Sequence, residues 1–193
     1  MEGLPQCLDR GRKDSGVSVH RFFPAIIMLV LIVPSSAGAE ELITVSKERV
    51  YGELTEETAV IYVVRPAFVG KAVKSWAFVD QKPMGANKGK HYTFGLVDPG
   101  RHLFWAKAEN ISALEIDIEA GKTYYLKQKI KVGAMKARVK IMEIDEADGK
   151  AAIEKCKYTQ LTPAGEQRAR EIIEEKYEVA LKKVGNNEAD EEP

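Results

Sequence analysis

Between residues 59 and 144 the chain is a succession of short β-branched, aromatic or alternating runs, each closed by a turn residue, and that rhythm leaves room for little but strands. The run Ala59-Val60-Ile61-Tyr62-Val63-Val64-Arg65 is apolar on both parities and is stopped by Pro66, which has no N–H for a ladder. Such a strand belongs at the centre of a sheet. Further strands are expected at 76–80, 91–97, 102–109, 114–119, 123–132 and 136–144. The turns between them are Gln81-Lys82-Pro83-Met84-Gly85, Asp98-Pro99-Gly100, Glu109-Asn110, Ala120-Gly121 and Gly133. Leu114, Ile116 and Ile118 alternate with Glu115, Asp117 and Glu119, the pattern of one buried and one wet face. About seven short strands at this spacing predict a mostly β protein, an antiparallel β-sandwich, spanning 59–158.

The pattern changes after residue 145, where 145–157 reads as a short helix or connector. Thr162-Pro163 then opens an amphipathic helix over 162–185: a threonine oxygen accepts from a free N–H, and proline at the first helical position forfeits no bond. Its apolar stripe is Ala169, Ile172, Ile173, Tyr177, Ala180, Leu181 and Val184, with Glu166/Arg170 and Glu178/Lys182 on the outer face. Gly185 is expected to stop it, and 186–193 is an acidic tail with too few apolar residues to order.

At the other end, Arg10, Arg12, Lys13 and Arg21 precede an apolar run over 22–33 that closes on Pro34-Ser35-Ser36-Ala37-Gly38-Ala39. This is the order of a signal peptide, cleaved after Ala39. The run is shorter than the roughly 20 residues that span a bilayer, so no stable membrane span is expected after cleavage, the alternative being an uncleaved anchor. Residues 1–20 are long and polar for such a segment, and Val17 or Val19 is a candidate initiator. The mature chain is expected in the periplasm or outside the cell. There Cys156 is left without Cys7, which excludes an internal disulfide, and no cysteine at the cleavage site accepts a lipid. Lys155 and Lys157 could lower the Cys156 thiol pKa, but with no histidine or second cysteine beside it a structural, partly buried role is expected. A polar arm, 40–58, with one short strand or turn, leads into the first long strand and carries no functional motif.

Lys+Arg and Asp+Glu both number 29, so no net field argues for nucleic acid. Gly85-Ala86-Asn87-Lys88-Gly89-Lys90 falls one residue short of a phosphate loop, with His91 where a hydroxyl is required, and reads instead as a hairpin loop. Around Gly149 a calcium loop would need an oxygen ligand at Ile144 and an acid at Lys155. His91 and His102, the histidines left after cleavage, have no spacing that selects a metal, and no cofactor is expected. The minimum parts of nucleophilic hydrolysis are missing, so the chain reads as non-catalytic; an enzyme would need Arg65, His91 and His102 to converge in one cleft. Asn110-Ile111-Ser112 is a glycosylation sequon, meaningful only in a host that uses it.

The order Ile61-Tyr62-Val63-Val64-Arg65-Pro66-Ala67-Phe68-Val69-Gly70, Val79-Asp80, Pro99-Gly100-Arg101-His102 and Ala120-Gly121-Lys122-Thr123-Tyr124-Tyr125 resembles the bacterial exported family called domain of unknown function 2846. That family is similar in pattern to PEGA and carboxypeptidase-regulatory-like β-sandwiches. The resemblance covers about 59–158 and implies a small envelope-facing β-sandwich with no established activity. Two departures stand out: Gln81 replaces a glycine frequent after the Val-Asp pair, and the lipidated cysteine of many relatives is missing.

Strand parity supplies the candidate binding surface. If Ala77, Val79, Phe104 and Ala106 point inward, Trp76, Phe78, Leu103 and Trp105 point outward, more apolar surface than a monomer ordinarily exposes. Such a face would stack on sugar rings or anchor a protein, and an envelope protein or a glycan is the candidate partner. The competing use of that face is as the seat of the C-terminal helix through Ile172, Ile173, Tyr177 and Leu181, which would otherwise be free to build an oligomer. The expectation is an exported binding or scaffold module of the envelope, with a carbohydrate-binding or accessory module for an envelope hydrolase as the alternative.

Overall fold

The computed structural model describes residues 41–132 and 137–187; residues 1–40, which include the segment expected to be a signal peptide, residues 133–136 and tail residues 188–193 lie outside the described residues. In chain order the elements are β1 (Ile43–Val45), β2 (Ala59–Arg65), β3 (Ser75–Val79), β4 (Lys82–Asn87), β5 (His91–Val97), β6 (Gly100–Lys107), β7 (Ile111–Ile118), β8 (Thr123–Val132), β9 (Ala137–Ile144), α1 (Glu146–Glu154), β10 (Lys157–Leu161) and α2 (Pro163–Asn187). The larger sheet has six strands in the order β1-β10-β5-β2-β8-β9, and the smaller has four in the order β4-β3-β6-β7. Pairing is mostly antiparallel, as the turns predict, but β2 with β8 and β10 with β5 run parallel. β2 lies between β5 and β8 with every residue buried, as its unbroken apolar run requires.

The short strand that the arm allowed is present as β1, whereas β4 and β10 were not expected from the sequence pattern. β1 lies in the polar arm and pairs with β10, Ile43 opposite Leu161, so the sandwich extends beyond 59–158 on either side. β4 occupies the stretch read as a turn. It is an edge strand, where Pro83 costs little, and the register slip opposite Ala77 and Phe78 accommodates Gly85 at φ 153°. The turn shrinks to Asp80 and Gln81, with Asp80 in the left-handed region at φ 48°, so no glycine is required at Gln81.

Three apolar layers result. Between the sheets lie Ile61, Val63, Ala77, Phe104, Ala106, Leu126 and Val139. The opposite face of the smaller sheet carries Trp76, Phe78, Leu103 and Trp105, as parity predicts, and α2 covers it with Ala169, Ile172, Ile173 and Ala180. Phe78 and Trp105 stack with ring centroids 4.0 Å apart, and the Trp105 indole N–H donates to the Asp80 carbonyl at 2.9 Å. Residues Ile172 and Ile173 are buried, Tyr177 is half-buried 6.5 Å from the Trp105 ring, and Leu181 stays 41% exposed because Ala180 takes the inward position on that turn. Thr162 caps α2, its hydroxyl accepting from Gly165 N–H at 3.0 Å. The helix passes through Gly185 to Asn187, since one helical glycine costs only about 1 kcal/mol.

The outer face of the larger sheet is aromatic. Tyr62 and Tyr125 stack at 5.5 Å, and Ala152 and Ile153 of α1 close over them. Gly149 is needed there because a Cβ would fall on the Tyr125 ring. Asp145 caps α1, accepting from Asp148 N–H at 2.8 Å. Tyrosine hydroxyls pin the polar arm: Tyr92 exchanges bonds with Val50 N–H and C=O at 3.0 and 2.7 Å, and Tyr62 accepts from Gly52 N–H at 3.0 Å. At the β9 edge, Glu109, Asn110 and Ser112 accept from the N–H groups of Ala137, Val139 and Ile141 at 2.9, 2.6 and 3.2 Å. No helix among the described residues is long and apolar enough to cross a membrane.

Burial separates the two halves of the α2 stripe. Ile172→Ala is expected to lower unfolding stability by about 2–5 kcal/mol, and Leu181→Ala by less than about 0.5 kcal/mol, measured by urea denaturation.

Candidate functional site

Arg65 closes β2 on the same parity as Ile61 and Val63, so its stem runs between the sheets and its guanidinium emerges at their end. Wholly buried, it donates to the carbonyls of Val73 and Gly70 at 2.6 Å each, Asn87 at 3.2 Å and Val69 at 3.4 Å. Burial lowers its pKa from the ordinary value, yet an arginine keeps its proton in a folded protein. The two terminal nitrogens are therefore satisfied by peptide dipoles through charge-assisted bonds, while Nε is buried without a partner among the described residues, and these bonds tie down residues 66–74, a segment with no strand or helix of its own.

A polar seam continues from the clamp. Asn87 donates its amide to Val63 O at 3.0 Å, and its side-chain oxygen meets the Thr159 hydroxyl at 3.0 Å, which also lies 3.2 Å from Ala86 O and Tyr92 O. Asn87 and Thr159 are both buried, so the seam joins β4 of the smaller sheet to β10 and β5 of the larger. Gly89 brings the β4–β5 turn against the loop: a Cβ there would lie 2.8 Å from Ala67 O. His91 sits opposite Arg65 in register. Its pKa is held below the ordinary value by burial first, and also by the charges of Lys88 and Lys157.

What this framework presents is an apolar tip among cations. Phe68 and Val69 are each 60% exposed. The ammonium groups of Lys71 and Lys90 stand 4.9 and 5.8 Å from the Phe68 ring centroid, a cation–π arrangement that gathers charge round the tip. Residues 66–74 and 87–91 contain Lys71, Lys74, Lys88 and Lys90 and no acidic residue. Lys74 turns toward α2, where it lines a cleft with Gln167 and Glu171.

The residues singled out from sequence fall elsewhere. Trp76, Phe78, Leu103 and Trp105 are core beneath α2, not an open binding surface, because the helix stripe and the aromatic face bury each other. The carbohydrate reading loses the exposed Trp76 and Trp105 it required, and Ile172 and Ile173 are occupied by the sheet. Arg65 and His91 are neighbours, but His102 is held at the far end of β3, 2.7 Å from the Asp80 carboxylate and 2.9 Å from Asp98 O, so the three do not converge. Cys156 is buried, and burial pushes its thiol up to about 11, overriding the opposing hydrogen bond with the Arg65 backbone and the charge of Lys90. Asn110 and Ser112 of the sequon cap β9. Among the described residues no group of three His, Cys, Asp or Glu could hold a metal. Missed from sequence was the tip itself; its signal was a bulky apolar pair inside a Pro/Gly-bounded loop.

Residues 55–140 match the model of a family described as protein of unknown function (DUF2846). That stretch is similar to the DUF2846 domain. An uncharacterized protein of Haemophilus influenzae is 30% identical over 96 residues, which are 49% of this chain and 57% of that protein. No solved structure matches. The DUF2846 match takes in β2 to β8 and the start of β9, and with them Arg65, Asn87 and the whole 66–74 loop; α1, β10 and α2 lie beyond it.

Arg65→Met would take the donors from the Val73, Gly70 and buried Asn87 carbonyls, and a loss of at least about 3 kcal/mol is expected, with faster amide hydrogen exchange across 67–74. His91 contributes a pH dependence of definite sign. The unfolded chain takes up its proton near the ordinary value of 6.5 while the folded chain resists it, so stability falls as pH drops below 6.5 and levels once the folded imidazole is charged. Subtracting the urea-unfolding profile of His91→Gln from that of the wild type should isolate this slope.

Proposed function

We propose that the chain is a non-catalytic binding module of the cell envelope whose working surface is the clamped loop 66–74. The supporting observation is the pairing of a wholly buried Arg65, committed to loop carbonyls, with Phe68 and Val69 left in solvent. A loop without function would tolerate disorder, whereas this one is ordered from within while its largest apolar side chains stay uncovered. Preorganisation of that kind lowers the entropy lost on binding. The envelope location follows from the signal-like order of residues 10–39.

The test is a photo-crosslinking residue placed at Phe68, with Leu96, 54% exposed on β5, as the control position, in the full tagged chain expressed in bacteria and fractionated. The chain is expected in the envelope or periplasmic fraction, with an adduct from position 68 well above that from position 96. A cytosolic chain overturns the location, and equal adduct yields from the two positions overturn the surface.

A further inference from the structure

We propose that the partner of this surface is an anionic lipid bilayer: Phe68 and Val69 enter the boundary between headgroups and acyl chains while Lys71, Lys88 and Lys90 meet the phosphates. The inference deepens the envelope-binding reading and rests on it. Its first ground is shape. Two bulky side chains at a loop tip form a wedge, not the broad patch of about 800 Å² that a stable protein partner buries on each side, whereas shallow insertion into a membrane interface requires only a small apolar element backed by cations.

The second ground is charge complementarity. The loop and the facing turn contribute lysines and no acidic residue, so an anionic plane meets no repulsion from either segment. Lys71 and Lys90 lie against the Phe68 ring, which places their ammonium groups at the depth where an inserted aromatic sits, the headgroup level. The third ground is rigidity. Gly70 turns the tip at φ 64°, its carbonyl takes the Val73 N–H at 2.8 Å and the Arg65 guanidinium at 2.6 Å, so the wedge keeps its form without the membrane.

The experiment is co-sedimentation of the full chain with vesicles of phosphatidylglycerol and phosphatidylcholine in equal parts, and with pure phosphatidylcholine. All variants keep the same first 39 residues, so any contribution of that segment cancels between them. At low salt, Lys71→Gln, Lys88→Gln and Lys90→Gln together should weaken partition to the anionic vesicles by about fivefold per lysine. Phe68→Ser with Val69→Ser should weaken it by more than about tenfold. Neutralising Lys129, Lys131 and Lys140, on β8 and β9, should leave it unchanged, and unfolding midpoints should match the wild type throughout. Equal partition of wild type and both tip variants overturns the lipid assignment. If position 68 nevertheless crosslinks to an envelope protein in cells, the binding-surface reading survives without the lipid; if position 68 gives no specific adduct either, both fall.

Discussion

Strands that are apolar on both faces need two covers, and the order of the layers follows from that. In β3 and β6 the inward residues Ala77, Val79, Phe104 and Ala106 are small or flat enough to meet the other sheet, while Trp76, Phe78, Leu103 and Trp105 fill the reverse. Each of those larger side chains is worth about 1.5–3 kcal/mol when taken out of water. A helix with a matching stripe is therefore part of the core, and α2 is fixed by what the sheet cannot leave exposed. The same constraint operates on the other side, where the outward tyrosines of β2, β5 and β8 are closed over by α1 and the arm. With both outer faces covered, the ends and edges of the sandwich are what it leaves open.

The end occupied by residues 66–74 is built at some energetic cost. A buried guanidinium with no carboxylate partner is tolerated only because several carbonyls converge on it, and each of those carbonyls is thereby held in place. Asn87 and Thr159 repeat the logic, with side chains from different strands satisfying one another where the sheets meet. The result is a loop whose backbone is specified by the interior while its side chains are free to face outward.

Much of this was legible in the chain. The strand rhythm, the central place of β2, the parity that turns both tryptophans to one face, and the Thr162-Pro163 helix start all rest on local periodicity, which sequence displays directly. What stayed hidden depends on pairing between distant residues. β10 is short and unremarkable until it meets β1, the strand the arm allowed, and β4 has turn chemistry that only its edge position excuses. The clamp was hidden for a related reason: Arg65 looks like an ordinary charged strand end, and its partners at Val69, Gly70, Val73 and Asn87 are backbone atoms, which leave no trace in side-chain identity. The helix end was misjudged because Gly185 is a weak stop without a left-handed turn to use it.

The polar residues along β9 have an effect that reaches past the single molecule. An open strand border offers its amide hydrogens to any extended chain, including another copy of itself, and so templates runaway stacking. Here Glu109, Asn110 and Ser112 already occupy those hydrogens on alternate residues. A protein concentrated on a two-dimensional surface would meet its own copies constantly, and this border withholds the amide hydrogens through which such encounters become fibrils.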